Sequence, residues 1–295
     1  MAAIGFIGLG NMGLPMAGNL TKAGHAVKGY DLIPANVEAA QKLGVTPASS
    51  VAEAATDVDA VITMLPAGKH VIGVYSGGVF QAARKGTLFI DSSTIDVASA
   101  REAHRMADDA GMLSLDAPVS GGVGGAQAGT LTFMAGGTSA AFEKAQPILD
   151  AMGGKIVHCG DGGAGQSAKI CNNMLLAVSM IGAAEAFVLA ERLGLSHQAL
   201  FDVVSTSSGS CWAVNNYCPV PGPVPASPAN NAFKPGFATA LMVKDLTLAQ
   251  EAALASGAST PMGAEAAHLM RLFMSGGNGD KDFSAVIEFI RGQAT

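Results

Sequence analysis

The sequence begins with an apolar strand that runs directly into three glycines in GxGxxG spacing. Residues 4–10 read IGFIGLG, and Gly8, Gly10 and Gly13 open a predicted helix over 14–23. In such a turn the first glycine permits a tight bend, the second lets the backbone approach a pyrophosphate, and the third allows close packing of helix on strand. Amides at the helix N-terminus then stabilise the phosphates. The pattern predicts a dinucleotide-binding unit rather than a merely tight strand–helix turn.

An acidic residue follows at the interval that a dinucleotide site requires. Asp31 ends the next predicted strand, over 26–31, and lies 18 residues after Gly13. A carboxylate there accepts hydrogen bonds from a ribose diol and repels a 2′-phosphate. The following residues, LIPANVEAAQ, offer no arginine or lysine to pair with that phosphate. We therefore expect NAD rather than NADP, bound by Asp31 and by the loop residues Gly8, Leu9, Gly10, Asn11, Met12 and Gly13.

Apolar strands alternate with amphipathic helices over the first half of the chain. Five further strands are predicted over 60–65, 87–93, 112–118, 131–137 and 155–160, with helices near 35–43, 69–84, 97–110 and 139–152. This alternation favours a parallel sheet with helices on both faces. The strands stop at a glycine-rich break around residue 162. We predict an α/β fold, a Rossmann-like doubly wound parallel sheet (1–162) followed by an all-α C-terminal domain (163–295).

The second half is predicted to begin with one long helix. It runs from about Gln166 to Leu193, and Gly194 follows as its C-terminal stop. The segment 174–190 is almost long enough to span a bilayer, but Lys169 and Glu185 favour a buried interdomain helix. A connection over 205–237 then carries aromatic residues and six prolines, and we expect it to be ordered.

Composition excludes several classes of function. Apolar residues make up 49% of the 295 residues and charged ones 14%, which predicts extensive burial, including burial between subunits of a homodimer or homotetramer. A net charge of −6 without a basic cluster argues against nucleic acid. The four cysteines have no metal-ligand spacing, so we predict free thiols and no metal site. A strand begins at residue 2 or 3, so we expect no targeting segment and a cytoplasmic protein.

Three polar residues share one face at the start of the long helix. Lys169, Asn172 and Asn173 have i, i+3, i+4 spacing. A lysine near the positive end of the helix dipole and asparagines inside a helix each carry a small energetic cost. The face therefore indicates a polar site.

Other segments are candidates for contacts with ligands. MLP (64–66) and SST (92–94) follow the third and fourth strands, so both should border the cofactor. The glycine-rich run 117–130 could converge backbone amides on an anion, or form a flexible surface loop. Lys244 and Asp245 are adjacent opposite charges, which are typical of a solvated helix face. His70 is as readily an exposed helix residue as a cofactor contact.

Taken together, these motifs resemble the β-hydroxyacid dehydrogenases over essentially the whole chain. The similar segments are GFIGLGNMGLPMAGNL, DAPVSGGVGGAQAGTLTFMAGG, GAGQSAKICNNMLLA, SSGSCW with NNYCPVPG, LMVKDLTLA and KDFSAVIEFI. The loop with tryptophan and prolines narrows the resemblance towards the branch that oxidises 3-hydroxyisobutyrate. Relatives acting on serine, glycerate or tartronate semialdehyde, or 4-hydroxybutyrate remain alternatives, as does a non-catalytic protein of the same fold. Imine-reducing relatives typically lack the lysine.

The resemblance implies an active site in the cleft between the two domains. It implies that Lys169 is the catalytic proton carrier, with its pKa lowered by burial and the helix dipole, and that Asn173 lies beside it. The segment Ser120, Gly121 and Gly122 would hold the substrate carboxylate. Lys244 would lie near both nicotinamide and substrate, and cofactor contacts would include Leu65, Pro66 and Thr94.

Overall fold

The computed structural model describes residues 1–292, which form two compact units. The first unit is Met1–Lys169 and the second begins at Ile170. This division falls slightly after the boundary that we predict between 162 and 163. The reason is that the long helix starts at Ala164, and its first turn packs within the first unit.

A nine-stranded sheet forms the centre of the first unit within the described residues. Its order is β3-β2-β1-β4-β5-β6-β8-β7, with β9 paired to β8. The strands are β1 Ala3–Ile7, β2 Ala26–Tyr30, β3 Thr46–Pro47, β4 Ala60–Thr63, β5 Leu88–Asp91, β6 Leu113–Asp116, β7 Val119–Ser120, β8 Leu131–Gly136 and β9 Gly153–Gly160.

The connecting helices cover both faces of this sheet. They are α1 Gly13–Lys22, α2 Pro34–Gln41, α3 Val51–Ala55, α4 Gly68–Val74, α5 Phe80–Ala82, α6 Val97–Asp109, α7 Gly122–Ala128 and α8 Ser139–Leu149. Side chains of a strand alternate between the two faces. Accordingly Ile62 and Ile90 lie in one buried apolar cluster, and their neighbours Val61 and Phe89 lie in another. The prediction of a doubly wound sheet is confirmed.

The sheet departs from the prediction at its β6 edge. Strands β1 to β6 are parallel to one another, but β8 runs antiparallel to β6 and to β7. The segment between β6 and β8 contains only the short β7 and α7, so no helical crossover returns β8 in the parallel direction. The predicted helix over 69–84 is also interrupted, because Gly78 has a φ of 91° within a π-helical segment, Tyr75–Val79.

The second unit is helical, as predicted, and no strand follows β9 in the chain up to residue 292. Its helices are α9 Ala164–Arg192, which begins in the first unit, α10 His197–Val204, α11 Trp212–Asn215, α12 Thr239–Ser256, α13 Pro261–Phe273 and α14 Val286–Ile290. Shorter 3₁₀ and π-helical turns lie at Pro228–Asn231, Met274–Asn278 and Phe283–Ala285.

Helix α9 has the length and apolarity of a membrane span, with a mean hydropathy of 1.8 in its most apolar window. Its residues Ala177, Met180, Ala184 and Phe187 are nevertheless part of the apolar core of the second unit. One face of α9 is therefore packed in the core of the second unit, as the sequence-based interpretation of a buried helix expects.

The long connection before α12 is held by a buried carboxylate. Asp282 is fully buried, and its Oδ2 accepts hydrogen bonds from the Tyr217 hydroxyl at 2.7 Å and from the amides of Gly236 and Phe237 at 3.0 Å. The Tyr217 ring also stacks on Trp212, with centroids 5.0 Å apart. The connection is therefore ordered, as its aromatic residues predict.

Candidate active site

The glycine-rich turn after β1 has the geometry expected of a phosphate-binding loop. Gly8 has a φ of 98°, and a Cβ there would collide with the carbonyl oxygen of Met64. A Cβ on Gly13 would collide with the carbonyl oxygen of Gly8. A Cβ on Gly10 would meet nothing within 4 Å, so the backbone at Gly10 faces open space. Gly8 and Gly13 are required by packing, whereas Gly10 leaves room for a ligand.

The N-terminus of α1 carries no side-chain carboxylate or hydroxyl. Its N-cap residue Met12 makes no side-chain capping bond, and no acidic residue lies in the first turn. A helix start without a side-chain cap or an acidic residue leaves its backbone amides and the positive end of its dipole available to an anion. The turn therefore fits the pyrophosphate of a dinucleotide.

Asp31 lies at the carboxyl end of β2 and is tied to the glycine-rich turn. Its Oδ2 accepts from the amide of Leu9 at 2.7 Å, and its Oδ1 accepts from the amide of Ile33 at 2.8 Å. The carboxylate thus joins the loop after β1 to the loop after β2. The adjacent Leu32 is 85% exposed, which leaves an apolar surface beside the carboxylate.

The loops after β4 and β5 are joined by a buried polar chain. The amide of Leu65 donates to Ser93 Oγ at 2.8 Å, and that hydroxyl donates to Asp91 Oδ1 at 2.6 Å. Thr63 Oγ1 also donates to Asp91 Oδ1, at 2.7 Å. These hydrogen bonds hold the loop of Leu65 and Pro66 next to the loop that carries Thr94. His70 is exposed in α4.

Asp91 itself is a strongly perturbed acid. Burial raises its pKa to about 6, although the hydrogen bonds from Ser93 and Thr63 oppose that shift. Its Oδ2 is buried without a hydrogen-bond partner. A small cavity beside it, also lined by Tyr75, His104 and Asp116, has room for about one water molecule.

The glycine-rich segment 117–130 is not a flexible loop. Ser120 ends β7, Gly121 has a φ of 129°, and Gly122 begins α7. The Gly125 amide donates to the Gly121 carbonyl at 3.0 Å, which closes the first helical turn. The segment therefore places Ser120 and the two glycines in a defined backbone conformation within the first unit.

Lys169 is 7% exposed and is the last residue of the first unit, in α9. The turn before it contains Gln166, which is fully buried and which sequence reasoning did not single out. Its backbone amide donates to Asp116 Oδ2 at 2.8 Å, and its side-chain Nε2 donates to the Ser93 carbonyl at 2.7 Å. The start of the lysine-bearing helix is thereby attached to the loop after β5.

The other polar candidates lie in the second unit. Asn173 is 2% exposed and donates through Nδ2 to Asp245 Oδ2 at 2.5 Å. Lys244 Nζ lies 3.7 Å from Asp245 Oδ1. Because Asp245 is 2% exposed, the interpretation of this pair as a solvated helix face is wrong for the carboxylate. Asp245 instead anchors one of the asparagines that the sequence singles out.

The four cysteines are free thiols. Over residues 1–292, no group of three or more histidine, cysteine, aspartate or glutamate side chains is arranged to hold a metal ion.

Both halves of the chain match known protein families. Residues 3–160 match the family described as the NAD binding domain of 6-phosphogluconate dehydrogenase. Residues 163–290 match the family described as NAD-binding of NADP-dependent 3-hydroxyisobutyrate dehydrogenase.

Full-length relatives extend this assignment. A probable 3-hydroxyisobutyrate dehydrogenase of Mycobacterium tuberculosis is 57% identical over 294 residues, covering 100% of this chain and 99% of that protein. An NAD-dependent L-serine dehydrogenase of Pseudomonas aeruginosa is 49% identical, covering 97% of each chain. A structure described as Mycobacterium tuberculosis 3-hydroxyisobutyrate dehydrogenase with L-serine superposes with a TM-score of 0.96, at 57% identity and 99% coverage of both chains.

The fold and these matches define an oxidoreductase with a nicotinamide dinucleotide cofactor. The chain belongs to the β-hydroxyacid dehydrogenase family. The resemblance seen in the sequence and the predicted NAD cofactor are therefore confirmed.

The raised pKa of Asp91 predicts a specific dependence of stability on pH. Its folded-state pKa of about 6 lies above the usual 3.8, so folding favours the protonated carboxyl. The free energy of unfolding of the wild type, relative to Asp91→Asn, should fall by roughly 2 kcal/mol as pH rises from about 4 to about 6.5. Above about pH 7 the difference in free energy of unfolding between wild type and Asp91→Asn should stay constant, because Asp91 is then ionised in both the folded and the unfolded state.

Urea titrations at several pH values measure this difference. Asp108→Asn, at an exposed position of α6, is the control for the loss of one negative charge. A wild-type to Asp91→Asn difference that does not change between pH 4 and pH 7 would contradict the assignment.

Proposed function

We propose that this enzyme oxidises 3-hydroxyisobutyrate to methylmalonate semialdehyde with NAD, a step of valine degradation. The observation that carries the proposal is the nearly buried Lys169 in the first turns of α9, at the end of a dinucleotide-binding unit. A lysine in this position serves as a proton carrier, since its ammonium pKa can be tuned towards the working pH. Support for the substrate comes from the 57% identical relative.

In the proposed reaction Lys169 accepts the proton of the substrate hydroxyl as the carbinol carbon gives up its hydride. Bound NAD supplies the hydride acceptor at nicotinamide C4. Asn173, anchored by Asp245, would orient the hydroxyl or the lysine. Ser120, Gly121 and Gly122 would bind the substrate carboxylate, and Lys244 would contact both substrate and cofactor.

The remaining cofactor contacts follow from the loops already described. Backbone amides at the start of α1 would bind the pyrophosphate, and Asp31 the adenosine ribose. Leu65, Pro66 and Thr94 would border the nicotinamide, because they lie beyond the carboxyl ends of β4 and β5.

L-serine is a second candidate substrate, favoured by the names of two similar proteins. Both compounds carry a hydroxymethyl group and a carboxylate, and they differ by a methyl in place of an ammonium. We expect kcat/KM with NAD to be highest for 3-hydroxyisobutyrate in a panel that also contains L-serine, glycerate and 4-hydroxybutyrate. A clearly higher kcat/KM for L-serine would replace the substrate assignment and leave the family unchanged.

Replacement of Lys169 tests the proposed acid–base role. Lys169→Ala should lower kcat by about 10²–10⁴, which is the usual contribution of a general acid or base. Lys169→Arg should fail as well, because a guanidinium stays protonated and cannot accept the hydroxyl proton. The affinity for NAD should change little. Turnover, NAD binding and melting temperature are to be measured on both variants, with the exposed Lys155→Ala as the matched control.

A purely structural lysine would give a different pattern. Lys169→Arg would then retain turnover, and Lys169→Ala would lower the melting temperature while leaving kcat of the folded enzyme close to normal. An active Lys169→Arg enzyme would refute the proposed mechanism.

NAD should be preferred over NADP because the Asp31 carboxylate would repel a 2′-phosphate. Asp31→Asn should reduce the ratio of kcat/KM for NAD to that for NADP by about tenfold or more, since an interaction of about 1.4 kcal/mol corresponds to one order of magnitude. The exposed Asp57→Asn serves as the control for charge. Equal use of both cofactors by the wild type would contradict this preference.

We also propose a cytoplasmic homodimer or homotetramer that assembles through the second unit. Large apolar residues exposed in the described chain are more numerous there, including Leu189, Leu193, Val203, Leu254 and Met262. Such exposure is typical of a surface that another subunit covers. Sedimentation at micromolar concentration should give a dimer or tetramer, and a monomer under those conditions would exclude the proposal.

A further inference from the structure

The start of α9 rests on strands β6 and β8 at unusually short range. A Cβ on Gly165 would collide with the carbonyl oxygen of Met134, and a Cβ on Gly136 would lie 2.6 Å from the amide nitrogen of Gly165. Neither position leaves room for a side chain. Close backbone packing therefore fixes the distance between the first turn of the helix and the sheet.

A carboxylate from β6 caps this helix in place of a residue from its own chain segment. Asp116 is 2% exposed. Its Oδ1 accepts from the amide of Gly163 at 2.8 Å, and its Oδ2 accepts from the amide of Gln166 at 2.8 Å. These are two of the amides that a helix start leaves without an intrahelical partner. The His104 ring links this carboxylate to Ser114: its Nε2 lies 2.9 Å from Asp116 Oδ1, and its Nδ1 lies 2.6 Å from Ser114 Oγ. These contacts help to fix the position of the carboxylate.

The side chain of Gln166 then reaches the loop after β5. Its Nε2 donates to the Ser93 carbonyl at 2.7 Å, and its Oε1 accepts from the amide of Ile95 at 3.2 Å. The amide group thus holds the backbone on both sides of Thr94. Within the first unit, this single buried side chain connects the turn that precedes Lys169 to a loop expected to border the nicotinamide.

We propose that Gln166 is a positioning residue for hydride transfer. Its amide sets the placement of Lys169 relative to the loop Ser93–Ile95, while Asp116 and His104 hold the helix start to which Gln166 belongs. The inference rests on the proposed role of Lys169. Displacement of a catalytic group by about 1 Å can lower a rate by about a hundredfold, so a loss of both amide bonds should act mainly on the chemical step.

Gln166→Met tests this role, because methionine has a similar length but makes neither hydrogen bond. The single-turnover rate of NADH formation at saturating NAD and hydroxyacid should fall by about 10–100-fold. The dissociation constant for NAD should stay within about threefold of wild type, because the pyrophosphate amides and Asp31 are untouched. Should Gln166→Met not fold, Gln166→Asn replaces it with the same criteria, since the shorter side chain cannot span both groups.

A matched control separates positioning from general loss of stability. Thr138→Ala removes the side-chain cap of α8, whose hydroxyl accepts from the Ala141 amide at 3.2 Å in the same unit. It should lower the melting temperature and leave the single-turnover rate unchanged. The proposal is overturned if Gln166→Met keeps the wild-type rate while Lys169→Ala is inactive. If Lys169→Ala retains turnover, the proposed acid–base role of Lys169 is refuted. The positioning role of Gln166 is then refuted with it, whatever the rate of Gln166→Met.

Discussion

A parallel sheet covered by helices on both faces has little place for polar side chains, and this constraint organises the first unit. Several of its buried polar residues lie at the carboxyl ends of strands, where Thr63, Asp91 and Asp116 end β4, β5 and β6. There Asp91 Oδ1 accepts hydrogen bonds from Thr63 and Ser93, and Asp116 accepts from the amides of Gly163 and Gln166. These bonds satisfy polar atoms that would be costly to bury alone. The same edge receives the glycine-rich turn, the cofactor loops and the first turn of α9. The residues that satisfy buried polar groups at this edge are thus also the residues that build the site.

Much of this arrangement was predictable from the sequence because it depends on local patterns. Glycine spacing and a strand-ending Asp31 specify the dinucleotide turn, and apolar runs specify seven of the nine strands. The two-residue strands β3 and β7 were missed because so short a segment has no periodicity. The strand β8 was predicted, but its antiparallel direction was not, because direction depends on how the chain returns and not on composition. The pairs that hold the site join residues far apart in sequence, such as Gln166 with Ser93 and Asn173 with Asp245. No local pattern reveals such partners, which is why Asp245 looked like a surface charge.

Family and substrate depend on different parts of the molecule. A relative named for 3-hydroxyisobutyrate, 57% identical, and one named for L-serine, 49% identical, both match nearly the whole chain. The two candidate substrates differ at one small substituent, so the selection between them rests on a few side chains whose chemistry must distinguish a methyl from an ammonium. This is why whole-chain similarity establishes the reaction class more firmly than the substrate.

The capping of α9 by Asp116 has a consequence for how the chain is made. Synthesis delivers all nine strands before the amides of Gly163 and Gln166 exist. Until then the carboxylate at the end of β6 lacks two of its partners, and the loop after β5 lacks the glutamine that holds it. A nascent chain that stops at the last strand therefore carries an incomplete nucleotide-binding unit. Its final hydrogen bonds form only as the ribosome releases the first turn of the helix that leads into the second unit.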